Sequence, residues 1–565
     1  MLAQKLPPLP PIPEVPATQP ENSVPMTPPD AAAEVHVGLP IADGPFAPTW
    51  ESIERNYPGV PDWLREAKFG IWVHFGPQAA GESGDWYARR LYLPDTPAYK
   101  SHLARYGHPS EVGYKDVLRD WNPVRLDPAK LAETYRDAGA RFLFVQAVHH
   151  DQYDMWDSQY QPWNSVRLGA RRDFVGEWAK ACRASGLRFG LTFHHEYSWW
   201  WWQGAFGADK TGPKAGVPYD GRLTLADGKG QWWEGMDPRL LYGVNLREYE
   251  GMVKAAETAW TVPPPGAFGR HAAFAQWYAT WWALRMMDAV EKYDPDFIYT
   301  DGTDAQPFSG RGTGTGIKAD AMQTVIADFY NKALARRGKV DVFSIVKFRP
   351  PTNGTVNTEE FGIPAPIKTD QPWIAEVPVG DWYYGPGFTY DAGTMIRYVV
   401  EAAARDGAAA VCVSPLPDGS LDAGSTAMLK AVGQWMRRNG DAIYGSRAWK
   451  IPGEGEMRDG KLKMLPGGKL GKTHAEFPFD AGDVRFTVGK DGALYAICMA
   501  VPKPGQTLTI HSLGTAARLL ETPVRQITLL GHEGPAIEWR QEAEALRITC
   551  PAAMPFETAV AFKIE

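Results

Sequence analysis

The sequence has little cysteine, no long apolar run and no excess of basic charge. Its four cysteines are widely separated and form no C-x-x-C pair, so neither a thiolate zinc site nor a disulfide framework is expected. No stretch reaches the roughly 18 apolar residues of a membrane-spanning helix. The formal net charge of -7 lacks the basic footprint of a nucleic-acid-binding protein. The sequence therefore predicts neither a membrane partner nor a nucleic-acid partner.

The first 45 residues lack the composition of a folded segment. They contain the run Leu6-Pro7-Pro8-Leu9-Pro10-Pro11-Ile12-Pro13. Proline at this density does not build a packed core and favours an extended backbone. We therefore predict that residues 1–45 form a Pro-rich disordered leader. This leader also lacks the charged and apolar stretches of a signal peptide.

Residues 46–447 contain short apolar runs that alternate with amphipathic stretches. The apolar runs are rich in Phe, Val and Ile, which is typical of strands. They are Phe69–Phe75, Phe142–Val148, Arg188–Phe193, Phe297–Thr300, Val340–Ile345 and Ala409–Val413. Strands that alternate with helices imply a parallel sheet, and this number of units favours a closed barrel. We predict a (β/α) barrel of the TIM type over residues 46–447.

Two segments depart from this alternation. Residues 206–265 have weak periodicity and many Gly, Pro and Trp residues, so we interpret them as a long insertion in a barrel loop. Residues 448–565 contain short strand candidates joined by turns. This last segment is predicted to be a C-terminal antiparallel β-sandwich.

Residues whose side chains can take part in catalysis or ligand binding stand at the ends of four of the strand candidates. They are His74, His149-His150-Asp151, His194-His195-Glu196 and Asp301. Because the active sites of such barrels form at the carboxyl ends of the strands, we expect these side chains to converge. Neutral imidazoles bind sugar hydroxyls, and aromatic rings, here with 23 Trp among them, cover the apolar faces of a sugar. Three histidines on separate strands could alternatively hold zinc, although the sequence has no H-E-x-x-H motif.

A series of motifs runs in order along most of the chain. These motifs are Trp63–Gly76, Phe142–Ser158, Asp173–Val175, Gly186–Leu191, Tyr293–Gly302, Val413–Gly419 and Asn439–Gly445. As a set they resemble glycoside hydrolase family 29, the retaining α-L-fucosidases. The resemblance implies a catalytic barrel followed by a β-sandwich, without metal or organic cofactor, that acts on a fucosylated oligosaccharide or glycoconjugate. We further expect the protein to act in the periplasm or outside the cell.

The resemblance also implies a role for individual residues. Asp301 matches the nucleophile of the family. Glu360 matches the general acid/base in the better alignment, and Glu359 is the alternative. The other matched residues are expected to hold the sugar; they are His74, Asp85, Trp86, His149, His150, His194, His195 and Trp373.

Three positions depart from the family pattern. Asp85 replaces a glutamate, and Gln152 replaces the glycine of the H-H-D-G motif. A pocket tyrosine of the family is replaced by His194 or His195, and the sequence does not choose between the two. These changes bear on substrate preference more than on the type of reaction.

The sequence thus predicts a retaining exo-α-L-fucosidase that works through a covalent fucosyl-enzyme intermediate. Two alternatives stay open. The same machinery could hydrolyse a related α-linked sugar such as L-galactose, which differs from fucose by a hydroxyl at C6. The barrel could also be catalytically dead and bind carbohydrate without turnover.

Overall fold

The computed structural model describes most of the chain. The described residues are 5–14, 33–196, 198–245, 272–301, 317–347, 353–364, 366–369, 371–386, 391–455 and 479–565. No helix among these residues is long and apolar enough to cross a membrane.

Strands and helices alternate as far as Asn439, and the described residues beyond it form mainly strands joined by turns. The strands are β1 (Ala33–Val35), β2 (Phe69–Val73), β3 (Phe142–Val148), β4 (Arg188–Phe193), β5 (Phe297–Thr300), β6 (Ile317–Ala319), β7 (Phe343–Val346), β8 (Asn357–Glu360), β9 (Trp373–Pro378), β10 (Ala408–Cys412), β11 (Arg447–Glu454), β12 (Val484–Val488), β13 (Leu494–Cys498), β14 (Thr507–Ile510), β15 (Ile527–Leu529), β16 (Glu538–Gln541), β17 (Leu546–Thr549) and β18 (Val560–Ile564). The helices are α1 (Trp50–Asn56), α2 (Asp62–Ala67), α3 (Tyr87–Arg90), α4 (Pro97–Arg105), α5 (Tyr114–Asp120), α6 (Pro128–Asp137), α7 (Phe174–Ala184), α8 (Ser198–Trp201), α9 (Arg239–Tyr242), α10 (Ala272–Tyr293), α11 (Ala321–Arg337), α12 (Ala392–Ala403) and α13 (Ala423–Asn439).

Eight parallel strands form the barrel, in the order β7-β5-β4-β3-β2-β10-β9-β8. A parallel bridge between Ile345 and Val356 joins the two ends of this sheet. The Val356 amide donates a hydrogen bond to the carbonyl of Ser344 at 2.9 Å across that junction. The closed (β/α) barrel predicted from the sequence is therefore confirmed.

Aromatic side chains fill the barrel interior beneath the carboxyl ends of the strands. The rings of Trp72 and Phe144 stack with centroids 4.3 Å apart, and the Tyr299 ring meets Trp72 edge-on at 4.8 Å. Phe297 stacks on Phe343 one layer below, at 4.9 Å. Offset and edge-to-face aromatic pairs add to the free energy of burial. This packed interior gives the polar residues above it a rigid floor.

Side-chain caps begin several helices of the barrel. Asp127 accepts a hydrogen bond from the Lys130 amide at the start of α6. Asp173 caps α7 and Asp391 caps α12 in the same way. Such a cap stabilises a helix by about 1 kcal/mol, because it pairs an amide that has no partner within the helix.

The C-terminal region contains two antiparallel sheets. Their strand orders are β11-β12-β13-β18-β15 and β14-β17-β16. Apolar residues of both sheets, such as Phe486, Ile548 and Phe562, form a separate core between them. The predicted antiparallel β domain after the barrel is confirmed.

Parts of the N-terminal leader are ordered, which differs from the prediction of a disordered segment over 1–45. Residues 5–14 pack against the barrel core through Leu6, Leu9 and Ile12. Residues 33–35 pair in parallel with β6. Composition missed these contacts because the partners of both stretches come from distant parts of the chain.

Two barrel strands, β8 and β9, were not among the sequence candidates. Strand β8 carries the polar run Asn357–Glu360, which lacks the apolar pattern of a buried strand. Strand β9 holds Glu376 in an otherwise apolar run that ends in proline. Residues 206–245 of the predicted insertion fold over the barrel as short helical turns, and residues 246–265 lie outside the described residues.

Candidate active site

Three histidines form one wall of a cavity at the carboxyl ends of the strands. His74 follows β2, His149 follows β3 and His194 follows β4, and all three are at most 3 % exposed. One ring nitrogen from each histidine lies within 4.8 Å of the corresponding nitrogen of the other two. Burial first, and the neighbouring histidines second, lower the pKa of each ring well below its ordinary value. These imidazoles are therefore neutral at pH 7 and can both donate and accept hydrogen bonds.

Several nitrogens of this wall are buried without a hydrogen-bond partner among the described residues. Both ring nitrogens of His74 and Nδ1 of His194 are in this state. His149 differs, because its Nδ1 contacts the Gln78 amide at 2.7 Å. A buried polar atom without a partner costs about 1–3 kcal/mol, so such atoms mark a place where a polar ligand binds. The same nitrogens could approach a sugar hydroxyl or a transition metal ion.

His194 and His195 point in opposite directions. The His194 ring lies 4.8 Å from the His149 ring and 5.0 Å from the His74 ring, inside the cavity. The His195 ring stacks on Trp282 of α10 at 5.7 Å, outside the barrel. This alternation is the ordinary result of an extended backbone, in which successive side chains point to opposite faces. The structure therefore places His194 in the pocket and His195 behind it.

Asp301 follows β5 and lies against His150. The Asp301 carboxylate is 3.5 Å from Nε2 of His150, and the aspartate is 9 % exposed. Burial lowers the pKa of His150 to about 4, although Asp301 opposes that shift. The contact at pH 7 is therefore one between a neutral imidazole and the aspartate rather than an ion pair.

Lys347 joins Asp301 to Glu360 and was not among the sequence candidates. Its Nζ lies 3.1 Å from Asp301 Oδ1 and 3.0 Å from Glu360 Oε2. Those two carboxylate oxygens are thus at most about 6 Å apart. Burial alone would lower the pKa of Lys347, but the charges of Asp301 and Glu360 raise it above its ordinary value. Lys347 follows β7, so its position at a strand end was the available signal.

The structure distinguishes Glu360 from Glu359. Glu360 points inward to Lys347, whereas Glu359 is paired with Lys368 at 2.8 Å on the outer side. Both residues belong to β8, and the strand's alternation separates them. The geometry selects Glu360 as the carboxyl group that shares the cavity with Asp301.

Two further carboxyl groups are buried in the site, and sequence reasoning gave neither a role. Glu376 is fully buried in register with Glu360, and Tyr299 donates a hydrogen bond to it at 3.3 Å. Burial, opposed by Lys347 and assisted by Glu360, raises the pKa of Glu376 to about 8. Glu196 is 1 % exposed, and neither of its carboxyl oxygens has a partner among the described residues. Burial and then the charge of Asp301 raise the pKa of Glu196 well above its ordinary value.

Asp85 and Trp86 form part of the pocket rim. The Asp85 carboxylate lies 3.8 Å from Nε2 of His149 and accepts a hydrogen bond from the Trp86 amide at 2.8 Å. Burial and the nearby Asp381 raise the pKa of Asp85 well above its ordinary value. Trp86 has a φ of +65°, a left-handed conformation that costs an ordinary residue about 1–2 kcal/mol. Its ring lies under the guanidinium of Arg90, 5.1 Å away.

Trp373 does not lie in the pocket, which corrects the expectation from the family motif. It is the first residue of β9 and is therefore at the opposite end of the barrel from the cavity. Its indole nitrogen donates to the Arg405 carbonyl at 3.3 Å. Two aromatic residues that follow the end of this strand do reach the cavity: the rings of Trp382 and Tyr383 lie 5.4 Å and 5.0 Å from the His74 ring.

Gln152 occupies a position that favours glycine. Its φ is +63°, which explains why the family motif has glycine there. The Gln152 amide donates to the Tyr278 hydroxyl at 2.7 Å and accepts a hydrogen bond from Arg285. These contacts to α10 offset the backbone strain and tie the loop after β3 to the outer helix.

Comparison with known proteins assigns a family to this chain. A family model described as Alpha-L-fucosidase matches residues 34–441. The tissue alpha-L-fucosidase of Rattus norvegicus is 24 % identical over 543 residues, which are 93 % of this chain and 93 % of that protein. The structure of the Thermotoga maritima alpha-fucosidase in complex with fucose matches with a TM-score of 0.63 at 20 % identity, over 92 % of this chain and 100 % of that one.

A second solved structure shares the fold. It is an alpha-L-fucosidase from Bacteroides thetaiotaomicron, trapped as a covalent intermediate, with a TM-score of 0.55, 16 % identity and coverage of 89 % of this chain and 97 % of that one. The family model spans the whole barrel, from the strand β1 to the end of α13. The chain therefore belongs to the alpha-L-fucosidase family and is a glycoside hydrolase.

Proposed function

We propose that this enzyme removes terminal α-L-fucosyl residues from fucosylated oligosaccharides or glycoconjugates with retention of configuration. The observation that carries the proposal is that Asp301 and Glu360 both contact the ammonium group of Lys347. Lys347 Nζ is within 3.1 Å of both carboxylates. Retaining glycosidases keep their two carboxyl groups about 5–5.5 Å apart, whereas inverting enzymes separate them by about 6.5–9.5 Å. Because Lys347 keeps the contacting oxygens of Asp301 and Glu360 at most about 6 Å apart, the geometry favours retention.

In the first step, Asp301 attacks the anomeric carbon while Glu360 protonates the leaving oxygen. A covalent fucosyl-enzyme results, and Glu360 then removes a proton from the water that hydrolyses it. Glu360 must gain a proton before the first step.

The histidine wall holds the sugar. His74, His149 and His194 are neutral, so they bind hydroxyl groups without placing a charge against the positive transition state. The names of the related proteins support fucose as that sugar: the rat relative is a tissue alpha-L-fucosidase, and the Thermotoga structure holds fucose.

The test compares the wild-type enzyme with Asp301→Gly, Glu360→Gln and Glu359→Gln on p-nitrophenyl α-L-fucoside. We expect Asp301→Gly to lose at least ~1000-fold in kcat/KM, and azide to rescue it with formation of the β-fucosyl azide. Azide should rescue Glu360→Gln with formation of the α-fucosyl azide. Glu359→Gln is the matched control on the same strand and should stay within about 3-fold of wild type.

Three other outcomes would change the conclusion. Release of β-L-fucose as the first product of the wild-type enzyme, seen by NMR, would show inversion. Higher kcat/KM on the α-L-galactoside than on the α-L-fucoside would move the substrate to L-galactose. Binding of fucose with no turnover of any aryl glycoside would favour a dead carbohydrate-binding barrel.

A further inference from the structure

The Pro-rich run near the N-terminus has a period of three residues. Leu6, Leu9 and Ile12 repeat at that spacing, and each is followed by proline. The polyproline II helix has three residues per turn, so these three side chains lie on one side of it. All three are partly buried against the barrel core. Pro8 directly precedes Leu9 and Pro11 directly precedes Ile12, and both prolines are exposed. The burial pattern therefore has the period of a polyproline II helix.

Two hydrogen bonds hold this run at the same spacing. The Tyr160 hydroxyl donates to the Pro7 carbonyl at 2.9 Å. The Trp277 indole nitrogen donates to the Pro10 carbonyl at 2.8 Å. The two acceptors are three residues apart and thus lie on the same side of the helix. A polyproline II helix leaves its carbonyls free for such donors, because it makes no internal hydrogen bonds.

The surface beneath the run is aromatic. Trp277 stacks on Phe274 at 5.7 Å and on Trp281 at 5.2 Å along α10. Trp281 in turn donates to the Tyr160 carbonyl at 2.7 Å, which fixes Tyr160 next to the helix. Grooves of stacked aromatic rings with an indole N–H donor are a general solution for recognising proline-rich segments. We name Tyr160, Phe274, Trp277 and Trp281 the aromatic groove.

We propose that the aromatic groove is a binding site for proline-rich peptides in the polyproline II conformation, which this chain fills with its own residues 5–14. Residues 5–14 belong to the same chain as the groove, so their binding is intramolecular and is favoured over that of a free peptide with the same contacts. A ligand of modest intrinsic affinity therefore occupies the groove in cis. This inference concerns the outer surface of the barrel and does not depend on the proposed reaction.

The test uses a chain that lacks residues 1–14 and a fluorescein-labelled peptide of residues 5–14. We expect saturable binding by fluorescence polarisation to the shortened chain, and at least ~10-fold weaker binding to the full chain, whose groove is occupied. Trp277→Phe in the shortened chain keeps the ring and removes the N–H donor, and it should weaken binding about 3- to 10-fold. A peptide of the same composition with the three-residue period scrambled should not bind.

A second variant covers the case in which the shortened chain does not fold. Leu9→Asp in the full chain should release the segment and allow the labelled peptide to bind in trans, while thermal unfolding followed by circular dichroism reports that the barrel is intact. Equal binding of the native and scrambled peptides would overturn the proposal. Failure of both the shortened chain and the Leu9→Asp chain to bind the native peptide would also overturn it.

Discussion

His194 and His195 are adjacent residues of one type with different surroundings. His194 lies among the pocket histidines, and His195 stacks on the outer helix α10. Both are at most 3 % exposed, so burial alone does not separate their roles. The direction in which each ring points is what places His194 in the pocket and His195 against the scaffold.

We therefore predict that His194→Phe lowers kcat/KM on the aryl fucoside by about 100-fold, because a hydroxyl loses its hydrogen-bond partner. His195→Phe, the matched control, should change kcat/KM by less than about 3-fold. Steady-state kinetics of both variants measure the difference. Equal losses in the two variants would contradict the assignment.

Glu376 is a buried carboxyl group whose protonation links stability to pH. Its pKa is raised in the fold from 4.5 to about 8. The folded state therefore binds more protons than the unfolded state between these values, so stability is full below the lower value and falls as pH rises through the upper one.

The variant Glu376→Gln cannot ionise. Its free energy of unfolding should therefore rise relative to wild type by up to ~1.4 kcal/mol for each pH unit within that window. Urea unfolding of both proteins at about pH 5 and about pH 8 measures the divergence. Parallel pH dependences of the two proteins would show that Glu376 does not titrate as described.

At the scale of elements, the junction between β7 and β8 sets the register of two site residues. Lys347 follows β7 and Glu360 ends β8. The bridge between Ile345 and Val356 aligns these strands through the Val356 amide. A substitution at this junction should therefore alter the relative positions of Lys347 and Glu360, although it replaces neither residue.

We predict that Val356→Pro, which removes this donor, lowers stability by about 2–4 kcal/mol and kcat/KM by at least ~10-fold. Val356→Ala keeps the amide and should lower stability by about 1–2 kcal/mol through lost packing alone. Its kcat/KM should stay near that of wild type. Loss of activity in Val356→Ala to the same extent would show that packing, not register, matters at this junction.

At the scale of the whole molecule, a buried ionic cluster joins the barrel to the C-terminal sheets. Glu401 of α12 pairs with Arg485 of β12, with Oε1 2.7 Å from the guanidinium. Arg405 contacts the other oxygen of Glu401, and all three side chains are at most 2 % exposed. Removal of one partner of a buried pair is costly because it leaves the other charge without compensation.

We predict that Arg485→Met lowers the free energy of unfolding by about 3 kcal/mol and separates barrel and C-terminal unfolding into two transitions. Arg438→Ala is the matched control, since its pair with Glu533 is 61 % and 81 % exposed. That control should stay within about 0.5 kcal/mol of wild type. Calorimetry of the three proteins measures both effects, and a single unshifted transition in Arg485→Met would refute the coupling.

The sequence by itself determined the class of the fold and most of the site. Runs of Phe, Val and Ile predict the strands, and His74, His149 and Asp301 stand where these strands end. Because the carboxyl ends of barrel strands lie at one end of the barrel, the sequence also predicts that these three residues lie close together. The resemblance also favoured Glu360, and the ion pairs of the structure then distinguished it from Glu359. The strand-end prediction itself depends on local pattern alone.

Only the tertiary structure decided which side chains meet across the barrel. Glu376 and Trp382 carry no local signal, and Lys347 has only its position at a strand end, since each of the three acquires its role from strands far away in the chain. The same reason explains the two wrong expectations: Trp373 lies at the opposite end of its strand, and residues 5–14 of the Pro-rich leader are held by aromatic residues some 150 to 270 positions away. Composition and motif describe a segment, whereas register and packing partners belong to the folded chain.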